Sequence, residues 1–250
     1  MTLSARHLAM AGLVLGTLAW SGNALIARAS AGILPPVGLS FWRWTTALAL
    51  LLPFTALGLW RHRQVLLQHR WQVLVLAALS ISTYNTLLYL AAQSTTAINI
   101  TLVNTGLPVA AFIWSLIILR EWPTRSTLLG AMLSFAGLLL ILMRGEPQTV
   151  LALEFNPGDL IMVIAVLAWG LYSVLLRRWM LPVPGLVQLA AMLLCGIPLL
   201  FPFYLWELSH TGPIALTLHA AGAIAYTAVM ASLVAYLAWN NGVKVLGPGT

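Results

Sequence analysis

Apolar residues come along this chain in runs of about twenty, the length that crosses a roughly 30 Å bilayer core at 1.5 Å rise per residue. Short clusters of arginine, proline, glycine and acidic residues separate the runs. Strands that cross membranes would alternate apolar and polar positions in segments of about ten, and no such alternation is seen here. The pattern therefore predicts eight helical spans, over 8–29, 37–59, 71–93, 97–119, 125–143, 159–177, 185–205 and 217–240. Pro35-Pro36 separates the first two, and Arg61, His62, Arg63 and Arg70 fill the next connection. Glu121-Trp122-Pro123 follows the fourth span. Asn156-Pro157-Gly158 precedes the sixth, with Asp159 placed to favour that helix's N-terminus. The expected fold class is an all-α polytopic membrane protein.

Composition agrees with that pattern: 61% of the 250 residues are hydrophobic and 7% charged, against about 25% charged in a soluble domain. A net charge of +7 does not point to nucleic acid here, because the basic residues sit in short connections. With the N-terminus in the cytoplasm, Arg6, Arg61, Arg63, Arg70, Arg120, Arg125, Arg177, Arg178 and Lys244 fall on the cytoplasmic side. Arg28, Arg43 and Arg144 fall toward the other. That bias predicts a cytoplasmic N-terminus. The first thirty residues resemble a secretory signal, with Ala27-Arg28-Ala29 as a cleavage site. Their apolar stretch is too long for that and holds Trp20, Ser21 and Asn23, so it is taken as a span. The single cysteine, Cys195, lies in an apolar run and supports neither a disulfide nor a metal site.

Self-similarity adds an organisation. Leu18-Ala19-Trp20 recurs as Leu167-Ala168-Trp169, and Arg28 recurs as Arg177, both 149 residues on. LPPVGL from Leu34 recurs as LPVPGL from Leu181, 147 residues on. A duplicated unit of five helices inverts its second copy, because five is odd. The expected units are a first repeat over 1–146 and an inverted second repeat over 154–250. Ten helices are expected in the natural protein, about eight of them here, with a continuation of roughly 45 residues. The alternative is a true eight-helix protein.

Those residues carry a resemblance. The chain resembles an EamA-type member of the drug/metabolite transporter superfamily. The resemblance rests on LAWSGN in the first span, Arg43 in the second, and NTGLPVAAFIWSLIILRE leading to Trp122-Pro123, Gly130 and Gly137. LAWGLYSVLLRR and YLAWNNGVKVLGPG complete it, so it covers essentially the whole chain. It implies two inverted halves around a central cavity in a bacterial inner membrane, moving small metabolites. Within the family the chain looks closest to aromatic amino-acid exporters.

Polar and aromatic residues inside spans are the candidates for transport. Gly16, Trp20 and Asn23 share one face of the first span, and Trp169 and Tyr172 hold the matching places in the sixth. They either line a cavity for a flat or amphipathic solute or pack between helices. In the third span Ser80, Ser82, Thr83, Tyr84 and Asn85 cluster, with Tyr89 one turn on. They should face the interior, to bind solute or to fasten helices. The fourth span holds Asn99, Thr101, Asn104 and Thr105 before Pro108, which cannot donate to the Asn104 carbonyl. Pro108 is thus a hinge candidate. Trp239, Asn240 and Asn241 close the last span as a gate or an interfacial anchor.

Arg43, two turns below the outer surface, is expected to snorkel outward in a structural role, the alternative being that it binds a carboxylate. Gly12 and Gly16 form a small face for close helix contact. The acidic residues Glu121, Glu146, Glu154, Asp159 and Glu207 all lie at span ends or in connections. The expectation is an uncharged, aromatic-lined path with downhill movement or exchange and no obligate proton antiport. No nucleophile–base group, phosphate loop or metal-spaced cluster suggests an enzyme, an ATP-driven pump or a cofactor. A channel is not excluded by composition. The expected partners are a small-molecule solute and the lipid bilayer, with no nucleic acid, the chain being a monomer or weak homo-oligomer.

Overall fold

A computed structural model describes residues 3–143 and 156–246. Arg144, Glu146 and Glu154, the junction between the expected repeats, and the Gly247–Thr250 end lie outside the described residues.

Each of the eight expected spans is a helix. They are α1 (Leu3–Ala29), α2 (Pro36–Arg61), α3 (Arg70–Ser94) and α4 (Ala97–Ile118), then α5 (Arg125–Met143), α6 (Pro157–Trp179), α7 (Gly185–Thr211) and α8 (Leu218–Leu246). Among the described residues, the seven helices other than α5 are long and apolar enough to cross a membrane. A short helix, Arg63–Gln68, joins α2 to α3, and no strand occurs among the described residues.

Helix starts follow local chemistry. Pro36 opens α2, where its missing N–H costs nothing. The Thr96 hydroxyl accepts from the Asn99 N–H, and the Thr217 hydroxyl from the Ala220 N–H, each at 3.1 Å. Asp159 accepts from the Asn156 N–H at 2.8 Å, as expected at the start of α6, and also binds the Thr95 hydroxyl and Asn99. It thereby ties α6 to the α3–α4 connection.

The last two helices run past their expected ends because the charged residues there are satisfied. Glu207 accepts from the N–H groups of Val37 and Gly38, at 3.0 and 2.6 Å. It is a carboxylate from α7 serving the N-terminus of α2. The Lys244 ammonium donates to the Gln188 side chain at 3.1 Å. Gly212, at φ 76°, ends α7.

The exterior is apolar, with Phe54 83% and Leu133 76% exposed, as a lipid-facing surface requires. Every described side chain of α5 is exposed or half-exposed. Inside, α1 packs along α8, α2 along α7, and α6 along α3 and α4, while α3 also meets α2 and α7. Lipid tails are as apolar as leucine, so these contacts rest on fit. A Cβ on Gly170 would lie 2.8 Å from the Ala110 Cβ, and one on Gly16 3.4 Å from the Ala235 carbonyl oxygen. The small face of α1 therefore meets α8, as expected of Gly12 and Gly16.

Candidate functional site: a cationic and aromatic centre

Two of the helices at the centre are not regular. Residues Ala78–Tyr84 of α3 and Thr227–Val234 of α8 are π-helical, and the two segments begin 149 residues apart. A π-turn leaves a carbonyl to be satisfied from elsewhere, and such turns gather at functional sites. The Ser80 carbonyl accepts from the Asn85 amide at 3.2 Å and the Tyr236 hydroxyl at 2.9 Å. The Thr227 carbonyl accepts from the Ser232 hydroxyl at 2.7 Å.

Between these segments lies Arg43, with no exposed surface. Its Nε and Nη2 donate to the Ser232 hydroxyl at 3.0 and 2.7 Å. Its Nη1 donates to Asn23 Oδ1 at 3.2 Å, Asn85 Oδ1 at 2.7 Å and the Tyr89 hydroxyl at 2.6 Å. The Tyr89 hydroxyl in turn donates to Asn23 Oδ1 at 2.7 Å. Trp44 lies 4.5 Å from the guanidinium carbon, a cation–π contact.

The outward snorkel expected of Arg43 is therefore wrong. The stem turns inward because α1, α3 and α8 together offer it four neutral oxygens. An interior lined by dipoles holds the cation better than an apolar helix edge can. The expectation of an uncharged interior is corrected by the same finding: the centre of the helix bundle holds a buried arginine. Nor does a carboxylate neutralise that charge among the described residues. Glu121 pairs with Arg177 at 2.8 Å, while Asp159 and Glu207 serve helix starts.

Beside Arg43 stands a cluster of rings. Trp20 and Trp169 meet edge to face at 5.2 Å, and Tyr236 meets Trp169 at 5.2 Å and Trp44 at 5.1 Å, also edge to face. Trp239 lies 5.4 Å from Trp20 and 5.9 Å from Trp169. Tyr84 and Tyr172 flank Trp169 at 4.7 and 4.9 Å. Each well-oriented pair contributes about 0.5–1.5 kcal/mol beyond its buried area. The Trp20 N–H is anchored on the Ala231 carbonyl at 3.0 Å, but the buried indole N–H groups of Trp44 and Trp169 have no acceptor among the described residues.

The candidates chosen from sequence thus divide. Trp20, Tyr84, Trp169, Tyr172 and Trp239 come together as rings, while Asn23 and Tyr89 bind Arg43. Ser80 supplies the carbonyl described above, its own hydroxyl bonding back to Leu76. Asn104 accepts from the Tyr84 hydroxyl at 3.2 Å, and Asn240 from the Tyr172 hydroxyl at 2.6 Å. Thr105 stays apart, bonded to the Leu102 carbonyl of its own helix. Pro108, the hinge candidate, stands just beyond the interruption of α4 at Thr105-Gly106. Trp239 donates to the Ser173 hydroxyl at 3.3 Å and also walls a cavity of about 290 Å³ with Leu13, Val14, Thr17 and Leu18.

Sequence reasoning missed Trp44, Ser232 and Tyr236 and misplaced Arg43. The available signal was the arginine itself, an ionisable residue inside a span.

Helices lipid-faced outside and polar within, meeting at a buried cation and a ring cluster, define a helical membrane protein of transporter type. The chain belongs to the EamA-like transporter family, which matches residues 7–143 and 156–250. It is 27% identical over 243 residues to the uncharacterized transporter YyaM of Bacillus subtilis, covering 97% of this chain and 80% of that one. It is 29% identical over 236 residues to an uncharacterized transporter of Archaeoglobus fulgidus, covering 91% and 77%. A solved crystal structure, 23% identical, shares the fold with a TM-score of 0.71 over 98% of this chain and 80% of its own.

Proposed function

We propose that this transporter exports small amphipathic metabolites across the bacterial inner membrane by alternating access, its favoured solutes being amino acids, aromatic ones included. The observation that carries the reading is the meeting of Trp20 and Trp169, 149 residues apart in sequence, edge to face at 5.2 Å. On this reading they come from matching places in two inverted halves, where transporters of this architecture hold their solute. Trp20, Asn23, Ser80, Tyr84, Tyr89, Asn104, Trp169 and Tyr172 form the solute site, while Thr105, bonded within its own helix, stands outside it. Pro108 serves as hinge, and Trp239 and Asn240 as gate beside the cavity that reaches Trp239. The N-terminus is cytoplasmic, the chain works as a monomer or weak homo-oligomer, and solute moves downhill or by exchange. The alternative is a transporter of the same family for another solute, a cationic drug, a nucleoside or another metabolite, and of these Arg43 argues against the cationic drug.

Cells expressing the full-length protein, challenged with a panel of amino acids and toxic analogues, test the reading. Faster efflux of aromatic amino acids is expected. Resistance to an unrelated solute with none to the aromatic analogues contradicts it, and uphill movement driven by a pH gradient in proteoliposomes contradicts the downhill mechanism.

A further inference from the structure

The centre is rich in hydrogen-bond donors and short of acceptors. Arg43 brings five N–H groups, and its acceptors are four neutral oxygens. Asn85 Oδ1 and Ser232 Oγ hold it most closely, each at 2.7 Å, apart from the 2.6 Å contact to Tyr89. Nη2, with two hydrogens, has one acceptor among the described residues, Ser232. The buried side-chain polar atoms with no hydrogen-bond partner among the described residues are all N–H groups: those of Trp44, Trp169, Gln188 and Asn240. Three of these lie at the centre. Trp44 stacks on Arg43, Trp169 is the hub of the ring cluster, and Asn240 bonds Tyr172. Buried donors normally find acceptors, and a buried cation normally finds a counter-charge. A group that answers both needs is an anion with several acceptor oxygens.

We infer that Arg43 receives the carboxylate of the solute, and that the transported class is small carboxylates with a planar apolar body, with or without an amino group. The inference rests on the solute site proposed above and specifies which end of the solute is recognised. Arg43 and the rings are close enough for one small molecule to engage both. Trp44 lies 4.5 Å from the guanidinium carbon and 5.1 Å from Tyr236, which lies 5.2 Å from Trp169. The planar body takes the place of ring–ring contacts around Trp20 and Trp169. The carboxylate takes a two-pronged hydrogen bond from the guanidinium, exchanging neutral acceptors such as Asn23 and Ser232 for charged ones. The ammonium of an amino acid, by contrast, would stand near a positive charge with no carboxylate beside it among the described residues.

Full-length protein in proteoliposomes tests this with three probes: L-tryptophan, indole-3-propionate and tryptamine. Tryptophan and indole-3-propionate should both be carried, and tryptamine about tenfold more slowly or not at all. Arg43→Lys should raise KM for both carboxylates by about tenfold, because a point charge replaces a planar fork, with a smaller change in kcat. Tryptamine carried as fast as the carboxylates overturns the inference while leaving the aromatic site standing. So does an Arg43→Gln variant that keeps the preference for carboxylates. If Arg43→Gln does not fold, the wild-type selectivity alone decides. Transport of none of the three overturns the proposed function and this inference with it.

Discussion

In α3 the π-helical segment over Ala78–Tyr84 leads to Asn85 and Tyr89, both bound to Arg43. In α8 the segment over Thr227–Val234 holds Ser232, also bound to Arg43, but leads to Tyr236, which bonds the Ser80 carbonyl of α3 instead. The two helices share one skeleton: a carbonyl, a polar side chain five residues on that caps it, and a tyrosine nine residues on. Ser80, Asn85 and Tyr89 fill those places in α3, and Thr227, Ser232 and Tyr236 in α8. One arm holds the cation with an amide and a phenol. The other holds it with a hydroxyl and uses its phenol to brace the first arm. A symmetric frame has been given an asymmetric task, so the two arms should fail differently.

The largest difference should appear at the capping pair. Asn85→Leu removes an acceptor of Arg43 and the bond to Tyr236 at once, at a predicted cost of about 3–4 kcal/mol, the sum of one charge-assisted hydrogen bond and one neutral one. Ser232→Ala should cost about 2 kcal/mol, since it removes one charge-assisted acceptor and a small hydroxyl. Thermal unfolding in detergent measures both, and equal costs would break the proposed asymmetry. At the tyrosine pair, Tyr89→Phe should cost about 2 kcal/mol and Tyr236→Phe about 1, because only Tyr89 touches the cation. The reverse order would mean that the brace, not the cation, governs the centre. The smallest effect should come from Glu207→Gln, outside both arms at the start of α2. A carboxylate at a helix end is worth up to about 2 kcal/mol when partly buried; the glutamine amide keeps one acceptor oxygen for the two N–H groups, so about 1 kcal/mol or less should be lost, and solute flux should not change.

The helices were legible in the sequence because apolar run length has one physical reading in a bilayer. The spans of α3, α4 and α5 agree with the structure to within one residue at each end, and α7 and α8 differ where Glu207 and Lys244 find neutral partners. Trp20 and Trp169 were legible as a pair because the repeat offset linked them. Arg43 was misread because snorkelling depends on what waits inside, and its acceptors come from three helices distant in sequence. The α3 π-segment was marked in the sequence only as a polar cluster over Ser80 to Asn85, and the widening itself shows only where Ser80 and Thr227 need partners from side chains further along.

The central claim is that solute meets the ring cluster beside Arg43, and counterflow of labelled tryptophan in proteoliposomes tests it most directly. Two variants should be compared with wild type at equal folded protein: Trp169→Leu in the cluster, where the residue is 2% exposed, and Trp60→Leu on the lipid face, where it is 65% exposed. The account predicts saturable counterflow by wild type and Trp60→Leu, and a loss of about tenfold or more for Trp169→Leu, the scale of losing one well-packed aromatic contact. Undiminished counterflow by Trp169→Leu would contradict it.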